Sequence, residues 1–253
     1  RFAAAIFELS SVVRDFAWLA DGARGFDVKL TNVSGSRAVI GVRGPRARSL
    51  LAAAGLSGEP ASASDVVRPS WRPAQVALMR DATGDGLELW MQADDGAVVW
   101  DRLWRSGADW GVAAVGADTL ETVRVEYAVP RPGIDWQPAQ LARDNGDLRT
   151  PADLGFAPDP TRRFNGADAL RRMKPGRAQI LVQLASDEPL AAGPLTAKGA
   201  NVGTLTSVAW SESRAGGLAL AWLDESFAEV GTKVVAAGPR GVVSAEVART
   251  VFD

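Results

Sequence analysis

The sequence predicts an α+β fold, helices on a mainly antiparallel sheet, followed by a small C-terminal β-barrel. Three observations predict it. Helix and strand periodicities alternate up to about Ala113. A proline-punctuated stretch with little periodicity, Asn145–Pro160, then reads as a connector. Beyond Pro175 the pattern changes to short strands at regular spacing. These features divide the chain into an α+β module with its connector, residues 1–160, and a barrel domain, residues 161–253.

Ile6–Leu9 reads as the end of a strand. In Val12–Leu19, Val12, Val13, Phe16 and Leu19 fall at helical spacing. Alternation predicts strands at Asp27–Asn32 and Arg37–Val42, before Gly44-Pro45 breaks the run. Arg46–Ala54 is a helix that Gly55 stops. Gly55–Arg72 is a loop, and Ala74–Met79 and Gly86–Met91 form a hairpin around Arg80–Asp85. Asp94–Ser106 is a helix behind an Asp cap, ended by Gly107. Leu120–Val125 fits either a helix or a strand and runs into Pro130-Arg131-Pro132-Gly133. Asn165–Met173 is a short helix. Five barrel strands follow, at Gln179–Leu184, Asn201–Val208, Gly217–Leu223, Lys233–Ala236 and Val242–Val247.

Composition narrows the function classes. The 253 residues are 47% hydrophobic, enough for one large core or two smaller ones. A net charge of −2, from 28 Lys+Arg against 30 Asp+Glu, provides no global basic field for nucleic acid or anionic lipid. The chain has no cysteine, which excludes disulfides, thiolate nucleophiles and zinc–thiolate sites. It also has no histidine, which excludes Ser-His-Asp triads and His-bearing metal sites. No apolar run reaches the roughly 18 residues of a membrane helix, and no stretch reads as a secretory signal, so a cytoplasmic protein with no membrane partner is expected. The opening segment, from Arg1, reads as the middle of a domain, so a longer polypeptide is expected.

Six segments, in order, resemble the T-protein (aminomethyltransferase) family of the glycine cleavage system. They are the Ala38–Leu51 strand, Gly-Pro and helix stretch; Thr83-Gly84-Asp85-Gly86-Leu87-Glu88-Leu89; Arg124–Pro130 with Gly133 and Asp135; Thr150–Phe156; Phe164–Leu170; and Val202–Ser207 with Gly231-Thr232. The sequence departs from the family pattern in three places. The family's N-terminal third, which carries its catalytic aspartate, has no counterpart; its signature tyrosine is Leu87; and its extreme C-terminal stretch is absent after Asp253. The resemblance implies tetrahydrofolate as cofactor and one-carbon transfer, aminomethyl or methyl, from a small amine or methyl donor, with the proton-handling aspartate in an upstream segment or a partner subunit. Two alternatives stay open. One is a non-catalytic folate-binding or assembly subunit; the other is the folate-binding half of a dimethylglycine- or sarcosine-oxidising flavoprotein.

Glu88 and Arg124 are the residues the resemblance assigns to folate. Glu88 follows a Gly-rich turn and is expected to point inward from a strand start, where a carboxylate can accept two hydrogen bonds from the amino-pyrimidinone edge of a pterin. On a strand, Arg124 would face away from Val123 and Val125 and share its side with Glu126, so an ion pair between these neighbours is the competing reading. Trp90, Trp110 and Trp136 are candidates to flank a flat ligand, although packing is the commoner use. Asp135 and Asp85 read as turn residues, and Arg162-Arg163 and Arg171-Arg172 as a solvated face that could meet a polyglutamate tail. Gly193–Gly203 lacks the strand, GxGxxG and helix arrangement of a dinucleotide site. No catalytic residue and no metal ligand is assigned.

Overall fold

A computed structural model describes residues 12–62, 65–81, 83–138, 142, 148–155, 159, 161–172 and 179–252. The expected strand end at Ile6–Leu9, Met173 and much of the connector lie outside the described residues. The chain forms two compact units, Arg1–Ala114 and Val115–Asp253, dividing upstream of the boundary expected at residue 160. The difference has a packing cause. The helix of residues 117–126 lies across barrel strands, so its contacts are with the second unit.

In the first unit, helix α1 (Val12–Gly22) precedes strand β1 (Arg37–Val42). Helix α2 (Ala47–Ala53), strands β2 (Ala77–Arg80) and β3 (Leu87–Gln92), and helix α3 (Gly96–Ser106) follow. The three strands form an antiparallel sheet in the order β1-β3-β2. Period-two alternation gives the sheet two different faces. Val42, Leu78, Leu87, Leu89 and Met91 are buried with Leu50 and Leu51 of α2 and Val99 and Leu103 of α3. The opposite face carries Val39, Gly41, Ala77, Met79, Glu88 and Trp90, with Gly41 and Met79 in register on either side of Glu88.

The expected strand at Asp27–Asn32 is irregular chain. Its alternating Val28 and Leu30 are exposed at 61% and 40%, and among the described residues no neighbouring strand satisfies its backbone. Asn32 instead ends the segment by accepting the Ser34 N–H at 3.0 Å. The Asp cap expected on α3 is also absent: Asp95 makes no side-chain cap bond, and a short 3₁₀ turn, Ala93–Asp95, leads into the helix.

The second unit begins with helix α4 (Ala117–Glu126), which resolves the ambiguous Leu120–Val125 segment as helical. Helix α5 (Ala167–Arg172) comes next. Six strands then form a closed antiparallel barrel: β4 (Gln179–Ser186), β5 (Ala191–Ala197), β6 (Ala200–Ser211), β7 (Gly216–Asp224), β8 (Lys233–Gly238) and β9 (Gly241–Thr250). Their order is β4-β7-β6-β5-β8-β9. Strand β5 is the one the sequence pattern did not predict. Gly193 and Pro194 weaken a strand signal, and the ladder bends around them: the β5–β6 register shifts between Leu195 and Thr196.

Strand β7 explains how the barrel holds α4. Ala219, Ala221 and Leu223 face the barrel interior with Val182, Leu184 and Leu205. The alternate residues Leu218, Leu220 and Trp222 are equally buried, on the outer side, where α4 packs across β6 and β7. A strand covered on both faces reads as a continuous apolar run. Small alanines inside and large side chains outside fit a narrow barrel under a helix. Gly203 of β6 completes the fit, because a Cβ there would stand 2.1 Å from the Trp222 carbonyl oxygen. Gly203→Ala is therefore expected to cost about 1–3 kcal/mol, toward the upper end because the neighbour is backbone. Denaturant unfolding checks it: a midpoint equal to wild type would show that β6 and β7 separate easily.

Candidate functional site

The loop between β2 and β3 sets where Glu88 points, and a buried carboxylate shapes that loop. Asp81 Oδ1 accepts the backbone N–H groups of Thr83 (2.9 Å), Gly84 (3.1 Å) and Gly86 (3.2 Å) and the Thr83 hydroxyl, while Arg43 Nε donates to Oδ2. Burial pushes the Asp81 carboxyl up, but Thr83 and Arg43 outweigh it and hold it below the ordinary aspartate range. Gly86 is required at close quarters: a Cβ would fall 1.9 Å from Asp81 Oδ2. Sequence reasoning singled out Asp85 in this turn and missed Asp81. The usable signal was an Asp two residues before a Thr in a Gly-rich turn, the Asx arrangement.

This turn starts β3 with Leu87 in the core, which puts Glu88 on the opposite face. The expectation that Glu88 points inward is corrected: it faces away from the hydrophobic core, on the partly open side of the sheet. There the Trp90 indole N–H donates to Glu88 Oε2 at 2.9 Å. Among the described residues, no hydrogen bond reaches Glu88 Oε1. Beside Glu88, the position a Cβ would take on Gly41 has nothing within 4 Å. Of the three tryptophans considered as ligand flanks, Trp90 is thus the one joined to Glu88. The carboxylate, indole and open floor form a surface suited to a flat heterocycle with adjacent N–H donors.

Arg124 lies in the second unit, on the last turn of α4, and its surroundings correct the strand-based reading that put it beside Glu126. Nε and Nη2 donate to the Glu121 carboxylate, Nη1 donates to the Val129 carbonyl and to Asp135 Oδ2 (each 2.7 Å), and Nη2 also reaches Ser207 Oγ at 2.6 Å. All five guanidinium donors are used. Burial pulls the Arg124 pKa down, but Glu121 and Asp135 outweigh it and raise it, while Arg124 holds Glu121 below the usual carboxylate range. Glu126 turns elsewhere, toward Ser211 and Ser213.

Asp135 is more than the turn residue expected. Its side chain is fully buried, and it accepts from Arg124, from the Arg131 N–H at 2.8 Å, and from the Thr206 and Ser207 hydroxyls at 2.6 Å each. Its carbonyl accepts the Trp222 indole N–H at 2.6 Å, and Arg149 stacks on the Trp222 ring at 3.8 Å. Arg162, Arg163, Arg171 and Arg172 are exposed, Arg171 pairing with Asp168. Among the described residues no cluster of carboxylates could hold a metal, and no helix is long and apolar enough to cross a membrane.

Removing Arg124 strands a buried carboxylate. Arg124→Ala is expected to cost about 3–5 kcal/mol, with a smaller loss when Asp135→Ala is added. Denaturant unfolding of the double-mutant cycle measures this, and independent, additive effects would disprove the pairing. Asp81 yields a pH prediction. Because its folded pKa is depressed, its contribution is fully present above the unfolded value of about 3.9 and is lost as pH falls through the lower folded value. Asp81→Asn should lower stability at pH 7 by about 1–3 kcal/mol. The gap from wild type should close below about pH 4 in unfolding experiments, and a gap unchanged at pH 3 would contradict the assignment.

Comparison with known proteins agrees with this fold. Residues 5–146 match the GCVT N-terminal domain, and residues 177–253 match the glycine cleavage T-protein C-terminal barrel domain. An aminomethyltransferase of Bacillus subtilis (strain 168) is 28% identical over 257 residues, covering 98% of this chain and 69% of the relative. One of Frankia alni is 34% identical over 198 residues, covering 76% and 52%. The mitochondrial dimethylglycine dehydrogenase of Rattus norvegicus is 28% identical over 239 residues, covering 88% of the chain but 27% of that protein. The crystal structure of the glycine cleavage system aminomethyltransferase T from Bartonella henselae shares the fold at a TM-score of 0.72 and 23% identity, covering 96% of this chain and 66% of that one. The chain therefore spans roughly half to two thirds of the length of its aminomethyltransferase relatives. With both characteristic domains matched in order along it, this chain belongs to the glycine cleavage T-protein family.

Proposed function

We propose that the chain binds tetrahydrofolate through Glu88 and takes part in folate-dependent one-carbon transfer, as a transferase of the aminomethyl or methyl type. The observation that carries the proposal is the Glu88–Trp90 pair on the partly open sheet face, with one carboxylate oxygen that no hydrogen bond reaches among the described residues. A pterin presents two adjacent N–H donors on its amino-pyrimidinone edge, a match for a carboxylate. Gly41 leaves the floor beside Glu88 open to a ring. When bound, tetrahydrofolate supplies N5 as the acceptor of the one-carbon unit. The protein's part is orientation: the Asp81-ordered turn and the β3 ladder hold Glu88 in place before a ligand arrives.

Arg124 enters this proposal as a positioning residue. With five donors already satisfied within the second unit, it holds α4 and the 131–136 turn on the barrel. The carbon donor in this reading is a small amine or methyl compound. One observation favours a second reading. The match to the rat dimethylglycine dehydrogenase covers most of this chain and a small share of that protein. A folate-binding portion of a larger oxidising enzyme would fit that match.

Calorimetric titration with 5-formyltetrahydrofolate tests the assignment. Loss of charge-assisted hydrogen bonds, each worth about 1.5–3 kcal/mol, should weaken binding by at least about tenfold in Glu88→Ala. Gly41→Val, which keeps a good strand residue, should weaken it by filling the floor. Both variants should unfold at wild-type denaturant concentrations. Unchanged affinity in both would remove Glu88 from the site.

A further inference from the structure

The second unit carries a polar cleft of about 370 Å³ that neither the folate reading nor the barrel architecture uses. It is lined by Glu126 and Tyr127 at the end of α4, Gln183 of β4, Arg214 of the β6–β7 turn, and Ala248 and Arg249 of β9. Two guanidinium groups line the cleft against one carboxylate, so its formal charge is positive, and Glu126 Oε1 accepts from Ser211 and from Ser213 (3.4 Å). The negative end of α4 is covered as well. Gln183 Nε2 donates to the Val125 and Glu126 carbonyls, and Arg249 Nη2 donates to the Glu126 carbonyl at 3.1 Å.

The remaining capacity is cationic. Arg249 Nε reaches Gln183 Oε1 at 3.1 Å, which leaves Nη1 directed to no partner among the described residues. The Arg214 side chain makes no hydrogen bond or ion pair among the described residues. Gln183 is buried and bonded at both ends of its amide, so it fixes Arg249 against the helix end. One restrained guanidinium and one unspent guanidinium across a concave polar surface make a fork for a planar anion. We infer that this cleft binds a small carboxylate, gripped by Arg249 and closed over by Arg214. The inference stands apart from the folate assignment, since every residue in it belongs to the barrel unit.

The chain contains a single tyrosine, Tyr127, and it lines the cleft. Protein labelled with 3-fluorotyrosine thus gives one ¹⁹F resonance at the site. Titration with glutarate at constant ionic strength should shift that resonance saturably. Arg214→Ala, an exposed turn substitution, should raise the apparent Kd at least tenfold, and Arg249→Lys, which keeps the charge and loses the fork, should raise it too. Inorganic phosphate should bind more weakly than glutarate. Three results would each overturn the inference: no saturable shift in wild type, an unchanged Kd in Arg214→Ala, or phosphate binding as tightly as glutarate.

Discussion

A buried carboxylate on which Arg124, the Arg131 N–H and two barrel hydroxyls converge holds the second unit together. Asp135 sits between the end of α4 and the outer surface of the barrel, and its oxygens receive Arg124, the Arg131 N–H, Thr206 and Ser207. A lone buried charge would be very costly, and this one is tolerated because each neighbour brings a donor. The rest of the interface follows the same logic. The buried polar groups Gln183, Ser207, Ser211 and the Trp222 indole each meet a partner on α4 or the turn after it. The apolar Leu218 and Leu220 fill the space between. Apolar burial supplies the adhesion, while the polar pairs fix which way the helix lies.

The first unit solves a smaller problem with the same device. Asp81 gathers three backbone N–H groups and a hydroxyl, so the turn before β3 is set by an internal carboxylate. Alternation along β3 then determines what faces where: Leu87, Leu89 and Met91 enter the core, and Glu88 and Trp90 are left together on the other side. The placement of Glu88 is thus a consequence of strand parity. A one-residue slip in the turn would exchange the two sets.

Much of this was legible in the sequence, for reasons that differ by element. Barrel strands such as β7, buried along nearly its whole length, and β9, buried at alternate residues, stood out because burial leaves a regular apolar pattern in the sequence. Strand β5 did not, because its Gly193 and Pro194 are tolerated only where the ladder is already irregular. Asp27–Asn32 showed the pattern of a strand but pairs with none among the described residues, and pairing is not a local property. Glu88 was singled out through the family resemblance of its Gly-rich turn, but its direction depended on Asp81, which looked like any turn aspartate. Arg124 was singled out the same way, while its environment was not legible. Its partners Asp135 and Ser207 lie 11 and 83 residues away, beyond the reach of periodicity.

The central claim is that the sheet face bearing Glu88 and Trp90 receives the folate ring, and the indole N–H of Trp90 observes it most directly. In ¹⁵N-tryptophan-labelled protein, that N–H is identified by its loss in Trp90→Phe. Addition of 5-formyltetrahydrofolate should shift this resonance more than any other tryptophan signal, because its acceptor, Glu88 Oε2, takes up a second donor. A Trp90 signal that stays in place while others move would mean that the ligand binds elsewhere and that this face has another use.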